Sequence, residues 1–332
     1  MKQFFSVKDI SSISQAVKSA LDYKQNPYKD ENLGKHKTIG LIFLNPSLRT
    51  RMSTQKAALN LGMDILVMNM TSDGWALETK DGVAMTGNTA EHIREAAAVM
   101  GEYCEVLGLR SFPKLKEAEE DYSEEFFSKF AAYCGKPIIS LESATLHPLQ
   151  SFTDLITIIE SFDYQYNDLN KQYFPFTKKP KVVLTWAPHT KALPQAVPNS
   201  FAEWMCQAQA EGLVDFVIAH PEGYALKTEF TIGANITTNQ EEALKNADFV
   251  YVKNWSSYED YGKITCTDNS WMITSDKLKG TNNAKVMHCL PVRRDVVIAS
   301  EVLDSKQSIV IQQAGNRVWA AQAVLKQILT KE

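Results

Sequence analysis

Two arginines and two hydroxyl side chains stand together where an apolar run gives way to a helical pattern. The segment Ser47-Leu48-Arg49-Thr50-Arg51 follows the run TIGLIFLN at residues 38–45. A helix N-terminus presents unpaired N–H groups and partial positive charge, and it binds anions for that reason. Guanidinium groups add paired donors that match phosphate oxygens. The segment therefore predicts a phosphate-binding turn, although two solvated arginines in a capping turn would give the same pattern.

Other polar residues follow apolar runs further along the chain. Arg110 ends the third run, His147-Pro148-Leu149-Gln150 comes after the fourth, His288-Cys289-Leu290-Pro291 lies at the last, and Arg317 stands beyond. Taken singly, such an arginine is commonly a salt-bridge partner and such a histidine a structural residue. Parallel strands share one carboxyl edge, where ligands bind, so the joint placement favours a common site.

The elements that would position these residues alternate between strand-like runs and helical patterns. Alternation of this kind predicts an α/β fold with two doubly wound parallel-sheet domains. The predicted strands are residues 38–45, 64–70, 105–110, 137–141, 182–186, 216–219, 249–252 and 286–290, and the predicted helices include residues 50–62, 91–103, 123–133 and 149–162. We interpret residues 163–179 as a connection or surface insertion, and residues 316–329 as a helical tail after the run SIVI at 308–311.

Composition narrows the class of protein. At roughly 150 residues per domain, 332 residues predict about two domains. The net charge of 35 − 39 = −4 argues against nucleic-acid binding through bulk charge. The chain has no apolar run of the roughly 18–20 residues that cross a bilayer, and its N-terminus does not resemble a signal peptide. The five scattered cysteines are typical of reduced thiols, so we expect a cytoplasmic protein without disulfides or a zinc site.

Three of these segments resemble motifs of one enzyme family. Ser47-Leu48-Arg49-Thr50-Arg51 resembles the SxRTR signature of the aspartate and ornithine carbamoyltransferases. The segment beginning at His147 resembles their HPxQ motif, and the one beginning at His288 resembles the HCLP motif of the ornithine branch. The resemblance runs the length of the chain with the motifs in the right order. It implies a carbamoyl phosphate-binding domain over residues 1–148, joined by a C-terminal helix at about 312–332, and an acyl-ornithine-binding domain over residues 149–311.

The resemblance also implies which residues act on carbamoyl phosphate. It implies a homotrimer whose active sites are shared between neighbouring subunits, with Trp75 on a loop that reaches the neighbour's site. The residues expected to be catalytic are Arg49, Arg110, His147, Gln150 and Cys289. The residues expected to bind carbamoyl phosphate are Ser47, Leu48, Arg49, Thr50, Arg51, Trp75, Arg110, His147, Gln150, Cys289, Leu290 and Arg317.

The amine substrate is where the chain departs from ordinary ornithine carbamoyltransferases. Those enzymes grip a free amino acid with a DxxxSMG-type loop, whereas this chain reads DFVYVKNW from Asp248. Trp75, the segment Trp186–His189, Lys253-Asn254-Trp255 and Arg293-Arg294 instead resemble the transcarbamoylases of Nα-acylated ornithine. That resemblance implies an acyl-ornithine site lined by Trp75, Ala90, Glu142, His189, Lys191, Lys253, Leu290 and Arg293. Each of three residues also has a purely structural interpretation. Lys253 could be a solvated lysine after an edge strand, His189 could cap a helix, and Trp75 could pack on its own subunit.

Ala90 bears on the acyl group. The N-acetylornithine type has glutamate at this position and the N-succinylornithine type has proline. A glutamate would repel the additional succinyl carboxylate and fill its space, whereas alanine does neither. The acetyl type also carries a lysine where this chain has Val297. We therefore expect N-succinyl-L-ornithine as the acceptor in arginine biosynthesis, with N-acetyl-L-ornithine as the alternative.

The expected chemistry needs no metal ion and no cofactor. A neutral amine attacks the carbonyl carbon of carbamoyl phosphate, and cationic donors stabilise the charge that develops on the carbonyl oxygen and the leaving phosphate. Cys289 as a nucleophile is an alternative, but no base beside it can be identified from the sequence. Two other classes are a non-catalytic phosphate-binding module and a nucleotide-dependent dehydrogenase, although no GxGxxG follows any predicted strand. The segment Gln312-Gln313-Ala314-Gly315-Asn316 departs from relatives, which often have glutamates before the residue equivalent to Arg317.

Overall fold

The computed structural model describes residues 1–162 and 178–330, and the chain divides into two compact units. The first unit comprises Met1–Ser11, Ser19–Leu149 and Arg317–Glu332. The second comprises Ser12–Lys18 and Gln150–Asn316. Nearly all of the predicted insertion at 163–179 lies outside the described residues. No helix in the described ranges is long and apolar enough to cross a membrane.

The first unit is built on a parallel sheet with strand order β1-β7-β6-β2-β3. A separate two-stranded pair, β4 with β5, lies outside this sheet. The strands are β1 (Gln3–Phe4), β2 (Thr38–Phe43), β3 (Asp64–Asn69), β4 (Leu77–Glu78), β5 (Glu91–His92), β6 (Val106–Arg110) and β7 (Ile138–Glu142). The α-helices up to residue 161 are α1 (Ile13–Gln25), α2 (Arg49–Asn60), α3 (Ile93–Glu102), α4 (Ala118–Ser123), α5 (Glu125–Tyr133) and α6 (Pro148–Ser161).

The core of the first unit explains why the apolar runs form strands. Residues of β2 and β6 such as Ile39, Leu41 and Leu107 have no exposed surface, as expected of a parallel sheet covered on both faces. Ile93 of α3 and Phe130 of α5 pack in this core with no exposed surface. After α2, Gly62 adopts a φ of +76°, and a Cβ there would run into the Glu31 carbonyl, so the position requires glycine.

The second unit contains another parallel sheet, with strand order β10-β9-β8-β11-β12. Its strands are β8 (Lys181–Trp186), β9 (Asp215–Ala219), β10 (Asn235–Thr237), β11 (Phe249–Lys253) and β12 (Lys285–Met287). The remaining α-helices are α7 (Ala196–Ala210), α8 (Thr228–Thr231), α9 (Gln240–Leu244), α10 (Ser275–Leu278), α11 (Ser300–Leu303) and α12 (Val310–Thr330). The predicted α/β fold with two parallel sheets is confirmed.

Several predicted boundaries differ from the structure by one or two residues, and two are wrong by three residues or more. The last strand ends at Met287 rather than at residue 290, so His288, Cys289 and Leu290 lie in a loop. The C-terminal helix begins at Val310 rather than near residue 316, because the apolar run at 308–311 supplies its first turn. A short apolar run does not by itself distinguish a strand from the start of a buried helix.

Each sheet reverses its strand order once beside its first long strand. In the first unit, β3 pairs with one edge of β2 and β6 with the other, so the order reverses between β2 and β6. In the second unit, β9 and β11 flank β8 in the same way, so the order reverses between β8 and β11. Crevices at the carboxyl ends of such strand pairs are where open α/β sheets bind ligands.

Candidate active site

The predicted phosphate turn lies at the carboxyl end of β2, where the first sheet reverses its order. Helix α2 begins at Arg49, and Leu48 at its N-cap makes no side-chain capping bond, so the first N–H groups are not capped by that residue. Thr50 is buried, and its Oγ1 accepts hydrogen bonds from the guanidinium groups of Arg317 (2.6 Å) and Arg110 (3.4 Å). The turn therefore combines a helix N-terminus with two converging arginines.

The side chain of Arg51 contacts residues outside the turn. Its guanidinium donates to Asn69 Oδ1 and lies over the Phe43 ring, 4.5 Å from the centroid. The Asn69 amide in turn donates to Asp73 Oδ2 at 3.0 Å. Backbone and side-chain hydrogen bonds, with Arg51 nearby, lower the pKa of Asp73. Arg51 is thus linked to the segment that carries Trp75.

Arg110 and Glu142 form a buried ion pair at the ends of neighbouring strands. Arg110 Nη1 lies 2.6 Å from Glu142 Oε2, and each residue is only 7% exposed. The ladder between β6 and β7 shifts register after Leu109, which pairs with Ser140, so that Arg110 stands opposite Glu142. Irregularities of this kind re-aim side chains next to active sites. Glu142, which the resemblance assigned to the acyl-ornithine site, is here bonded to a residue assigned to carbamoyl phosphate.

His147 completes this cluster as a neutral imidazole. It is 4% exposed, and its Nε2 lies 3.4 Å from Glu142 Oε2. Burial, and then the charges of Arg317 and Arg110, hold the pKa of His147 well below its ordinary value of 6.5. Among the described residues, His147 Nδ1 and Arg110 Nε are buried without a hydrogen-bond partner. Buried polar atoms are nearly always hydrogen-bonded in folded proteins, so these two fit contact with an oxygen-rich ligand.

Trp75 and Ala90 lie in two neighbouring exposed segments, Trp75 just before β4 and Ala90 just before β5. Trp75 is 56% exposed, and its indole N–H donates to Glu91 Oε2 at 3.0 Å. The pairing of β4 with β5 joins these segments, and Lys129 of α5 reaches the Thr79 carbonyl (2.5 Å) and Asp81 (3.0 Å), which follow β4. Ala90 is exposed beside Glu91. That Trp75 reaches a neighbouring subunit stays a prediction.

The predicted acyl-ornithine residues of the second unit lie beside its own reversal of strand order. Lys253 ends β11, is 7% exposed and donates to the Asn254 carbonyl at 3.1 Å. His189 follows β8, and its Nδ1 accepts from the Lys191 N–H at 3.0 Å. Burial lowers the pKa of His189, and the charges of Lys253, Arg293 and Lys191 lower it further. A positive field therefore surrounds His189, as binding of a carboxylate would require.

Cys289 and Leu290 lie in the loop after β12. His288 Nδ1 accepts from the Leu290 N–H at 2.8 Å, which occupies the ring nitrogen in a structural bond. Leu290 has a φ of +56°, in the left-handed region that L-residues seldom adopt. His288 therefore fixes the loop backbone, and this contact does not make it a base for Cys289.

Gln150 lies in a buried network that the sequence did not reveal. Its side-chain amide donates to Asp154 Oδ1 at 2.7 Å, and Gln313 donates to the same oxygen at 2.6 Å. Asp154 lies four residues after Gln150 on α6, a spacing that places both on one helix face. The four-residue spacing could have indicated Asp154 as a partner of Gln150. The contact of Asp154 with Gln313 spans 159 residues, and no local sequence pattern predicts it.

The predicted residues thus fall into separate groups. The structure brings Thr50, Arg110, Glu142, His147 and Arg317 together in the first unit. Cations of the second unit surround His189, and Gln150 belongs to the Asp154 network. In the described part of the chain, no group of three His, Cys, Asp or Glu side chains is arranged to hold a metal ion.

Comparison with protein families decides what these groups belong to. Residues 2–160 match the carbamoyl phosphate-binding domain of aspartate/ornithine carbamoyltransferases. Residues 198–328 match the Asp/Orn-binding domain of the same enzymes. The chain belongs to the aspartate/ornithine carbamoyltransferase family. The cluster of Thr50, Arg110, Glu142 and His147 therefore lies in the carbamoyl phosphate-binding part of this carbamoyltransferase, and Lys253 lies in the Asp/Orn-binding part.

Curated relatives separate by acyl group. The chain is 47% identical over 331 residues to N-succinylornithine carbamoyltransferase of Bacteroides fragilis and 46% identical to that of Bacteroides thetaiotaomicron, with 99% of each chain covered. It is 31% identical over 344 residues to N-acetylornithine carbamoyltransferase of Xanthomonas axonopodis, covering 98% of this chain and 96% of the relative. The full-length match excludes the dehydrogenase alternative.

Solved carbamoyltransferase structures share the fold. An N-acetyl-L-ornithine transcarbamylase is 29% identical, with a TM-score of 0.87 over 99% of this chain and 100% of the other. A glutamate-to-alanine mutant of an N-acetyl-L-ornithine transcarbamylase, complexed with carbamoyl phosphate and N-succinyl-L-norvaline, is 30% identical with a TM-score of 0.88 and the same coverage.

Proposed function

We propose that the chain transfers the carbamoyl group of carbamoyl phosphate to the δ-amine of N-succinyl-L-ornithine, giving N-succinyl-L-citrulline and phosphate. The observation that carries this proposal is the identity of 47% over 331 residues with an N-succinylornithine carbamoyltransferase, against 31% with an N-acetylornithine enzyme. The reaction belongs to arginine biosynthesis. N-acetyl-L-ornithine is the alternative acceptor, favoured by the 29–30% identical solved structures of N-acetylornithine transcarbamylases.

The first unit would bind the phosphate and polarise the carbonyl. The phosphate oxygens would meet the N-terminus of α2 together with Ser47, Arg49, Thr50 and Arg51, and Arg317 would join them through its contact with Thr50. A guanidinium at this position stabilises the negative charge that develops on the leaving phosphate.

The carbonyl oxygen would be held by Arg110 and His147. As the δ-amine attacks, a C–N bond forms, the carbonyl C–O bond gains single-bond character, and its oxygen becomes negative. When the carbonyl reforms, the bond to the phosphate oxygen breaks, and the ammonium formed on the δ-nitrogen loses one proton. Donors aimed at the developing oxyanion stabilise the transition state by about 3–4 kcal/mol each. Glu142 would keep Arg110 in position, because their ion pair fixes the guanidinium.

The second unit would bind the acyl-ornithine carboxylates. Lys253 and Arg293 act on His189 as positive charges, and the same charges would attract the two carboxylates of N-succinyl-L-ornithine. Ala90 adds no negative charge where the acetyl type has glutamate. A glutamate-to-alanine mutant of an N-acetylornithine transcarbamylase was complexed with N-succinyl-L-norvaline, which supports the assignment of the succinyl group here.

The assembly and the compartment belong to the same proposal. A homotrimer would give the exposed Trp75 a neighbouring site to enter. The β4–β5 pair follows Trp75 directly, and Lys129 bonds to Thr79 just after β4. The cytoplasm, where carbamoyl phosphate would be available, is the expected compartment.

The test is a citrulline-product assay with three acceptors in parallel. Purified protein would be given carbamoyl phosphate with ornithine, N-acetylornithine or N-succinylornithine, and kcat/KM compared. We expect a preference for the succinyl substrate of about tenfold or more, which is about 1.4 kcal/mol of differential transition-state stabilisation. A preference for N-acetylornithine would refute the acyl assignment, and turnover of none of the three would refute the transferase assignment.

A further inference from the structure

A buried carboxylate in the second unit holds two amide side chains at once. Asp154 of α6 has no exposed surface, and its Oδ1 accepts from Gln150 Nε2 at 2.7 Å and from Gln313 Nε2 at 2.6 Å. A buried carboxylate is costly unless hydrogen bonds satisfy it, so these donors are held firmly in place. Each glutamine donates through its amide nitrogen, so that nitrogen faces Asp154 and the amide oxygen is left to accept elsewhere.

Gln313 carries the contact on to the loop after β12. Its nitrogen faces Asp154, and its oxygen accepts from the His288 N–H at 2.9 Å. His288 Nδ1 then accepts from the Leu290 N–H at 2.8 Å. A chain of hydrogen bonds thus runs from a carboxylate through an amide and an imidazole to the backbone N–H of Leu290. The φ of Leu290 is +56°, a conformation that persists only when the surrounding structure supports it.

Tyr251 of β11 supports the same picture, although its hydroxyl has no hydrogen-bond partner among the described residues. It has no exposed surface. Burial, and then Asp154 and Cys289, raise the pKa of Tyr251 well above its ordinary value. The hydrogen bonds through Gln313 and His288 therefore form the path from Asp154 to the loop that contains Cys289 and Leu290.

We infer that Asp154 is a positioning residue for carbamoyl transfer, which sets the Gln150 amide and, through Gln313, the Cys289–Leu290 backbone against the carbamoyl group. The inference rests on the proposed function, in which Gln150, Cys289 and Leu290 contact that group. It also gives a reason for glutamine at 313. A glutamate there would place a second carboxylate against Asp154 in a buried site, where like charges repel strongly.

Two single variants and their combination test this role. Asp154→Asn and Gln313→Glu each disturb one side of the hydrogen-bonded pair. The double variant D154N/Q313E exchanges amide and carboxylate. Because Gln150 and Gln313 donate to the same oxygen of Asp154, the amide at 154 must rotate so that its oxygen accepts from Gln150 and its nitrogen donates to the carboxylate at 313, which still accepts from the His288 N–H. We expect each single variant to lose kcat by about 100-fold, the size associated with misplacement of about 1 Å, with the KM for carbamoyl phosphate changed by less than about threefold. The double variant should recover at least about tenfold of that loss.

Thr157→Val is the matched control. Thr157 Oγ1 accepts from Asn316 at 3.0 Å, also between α6 and α12 and also buried, but this contact leads neither to Gln150 nor to His288. It should lower the melting temperature and leave kcat within about twofold, since the two hydrogen bonds that it loses, to Asn316 and to the Thr153 carbonyl, lie away from the reacting groups.

The outcomes are distinguishable. Suppose that the wild-type enzyme is active. The inference would then be overturned, with the proposed function intact, if kcat of Asp154→Asn were within about threefold of wild type. It would also be overturned if kcat of the double variant were no higher than that of the slower single variant. Wild type inactive on all three acceptors would refute the proposed function itself. If Asp154→Asn does not fold, the comparison of Gln313→Glu with the double variant decides.

Discussion

The Arg110–Glu142 pair offers a way to separate a structural from a catalytic role in one set of variants. Both residues are 7% exposed and their charged atoms lie 2.6 Å apart. Removing one partner leaves the other charge buried and unpaired, which typically costs about 3–5 kcal/mol. Replacing both charges with neutral groups removes that penalty, because the pair's desolvation cost disappears with its attraction.

The magnitudes differ between stability and rate. Arg110→Gln and Glu142→Gln should each destabilise the chain by about 3–5 kcal/mol, a large part of the roughly 5–15 kcal/mol that a domain has. The double variant R110Q/E142Q should regain most of this loss. The rate of carbamoyl transfer should not recover with the stability, because both variants that lack Arg110 also lack the donor to the carbonyl oxygen. We expect kcat to fall by about 100-fold to 1000-fold in Arg110→Gln and to stay low in the double variant.

Urea unfolding and steady-state carbamoyl transfer would be measured on the same preparations. Arg294→Gln is the control, because Arg294 makes a two-pronged ion pair with Asp304 (2.7 and 2.8 Å) on the surface, where such pairs contribute at most about 1 kcal/mol. If the double variant regained kcat to within about tenfold of wild type, Arg110 would act only on the fold and the donor role would be wrong. If it stayed as unstable as the single variants, the buried-charge reasoning would be wrong.

Three further outcomes are expected. Ala90→Glu should lower the succinyl-to-acetyl ratio of kcat/KM by at least about tenfold through charge repulsion and lost space, and Ala90→Pro, which adds no charge, should keep it; equal ratios in both variants would refute the role of this position. Arg293→Gln should raise the KM for N-succinylornithine by about tenfold, whereas Arg294→Gln, already paired with Asp304, should not, and equal effects would contradict the assignment. Burial and two arginines lower the pKa of His147 in the folded chain, so between that lowered pKa and about 6.5 only the unfolded chain binds the proton. The free energy of unfolding should therefore fall as the pH drops below about 6.5. Urea unfolding curves recorded over a range of pH should show a smaller fall for His147→Gln.

Much of the fold could be predicted because its central strands are buried on both faces. Such strands read as continuous apolar runs, and the runs at 38–45 and 249–252 begin at the first residues of β2 and β11. The run at 64–70 also begins at the first residue of its strand, β3, although β3 is partly exposed at the edge of its sheet. The ends could not be predicted as well, since the run SIVI at 308–311 is divided between two elements. Ser308 pairs with Val286 of β12, whereas Val310 begins α12. The motifs then fell at strand ends because a turn or loop follows each strand.

The partners of the site residues could not be predicted in the same way. Arg110 faces Glu142 only because the β6–β7 ladder shifts register after Leu109, and register is a property of two strands rather than of either sequence. Gln313 meets Asp154 across 159 residues, which no local pattern encodes. The departure at Gln312–Asn316 is understandable once the fold is known. The carboxylates that meet these amides, Asp154 and Glu160, come from α6.

The same electrostatics bears on how the attacking amine loses its proton. A base at His147 would have to accept a proton in a buried place beside Arg317 and Arg110. Burial first, and then these two charges, already hold its pKa well below the ordinary value. His189 meets the same obstacle, because burial and the charges of Lys253 and its neighbours lower its pKa as well. Positive charge that suits phosphate and carboxylate therefore disfavours both histidines as proton acceptors. The departing phosphate, which gains negative charge as its bond to carbon breaks, is the better acceptor. The rate should accordingly rise with pH toward the amine's own pKa of about 10, without a plateau near 6.5.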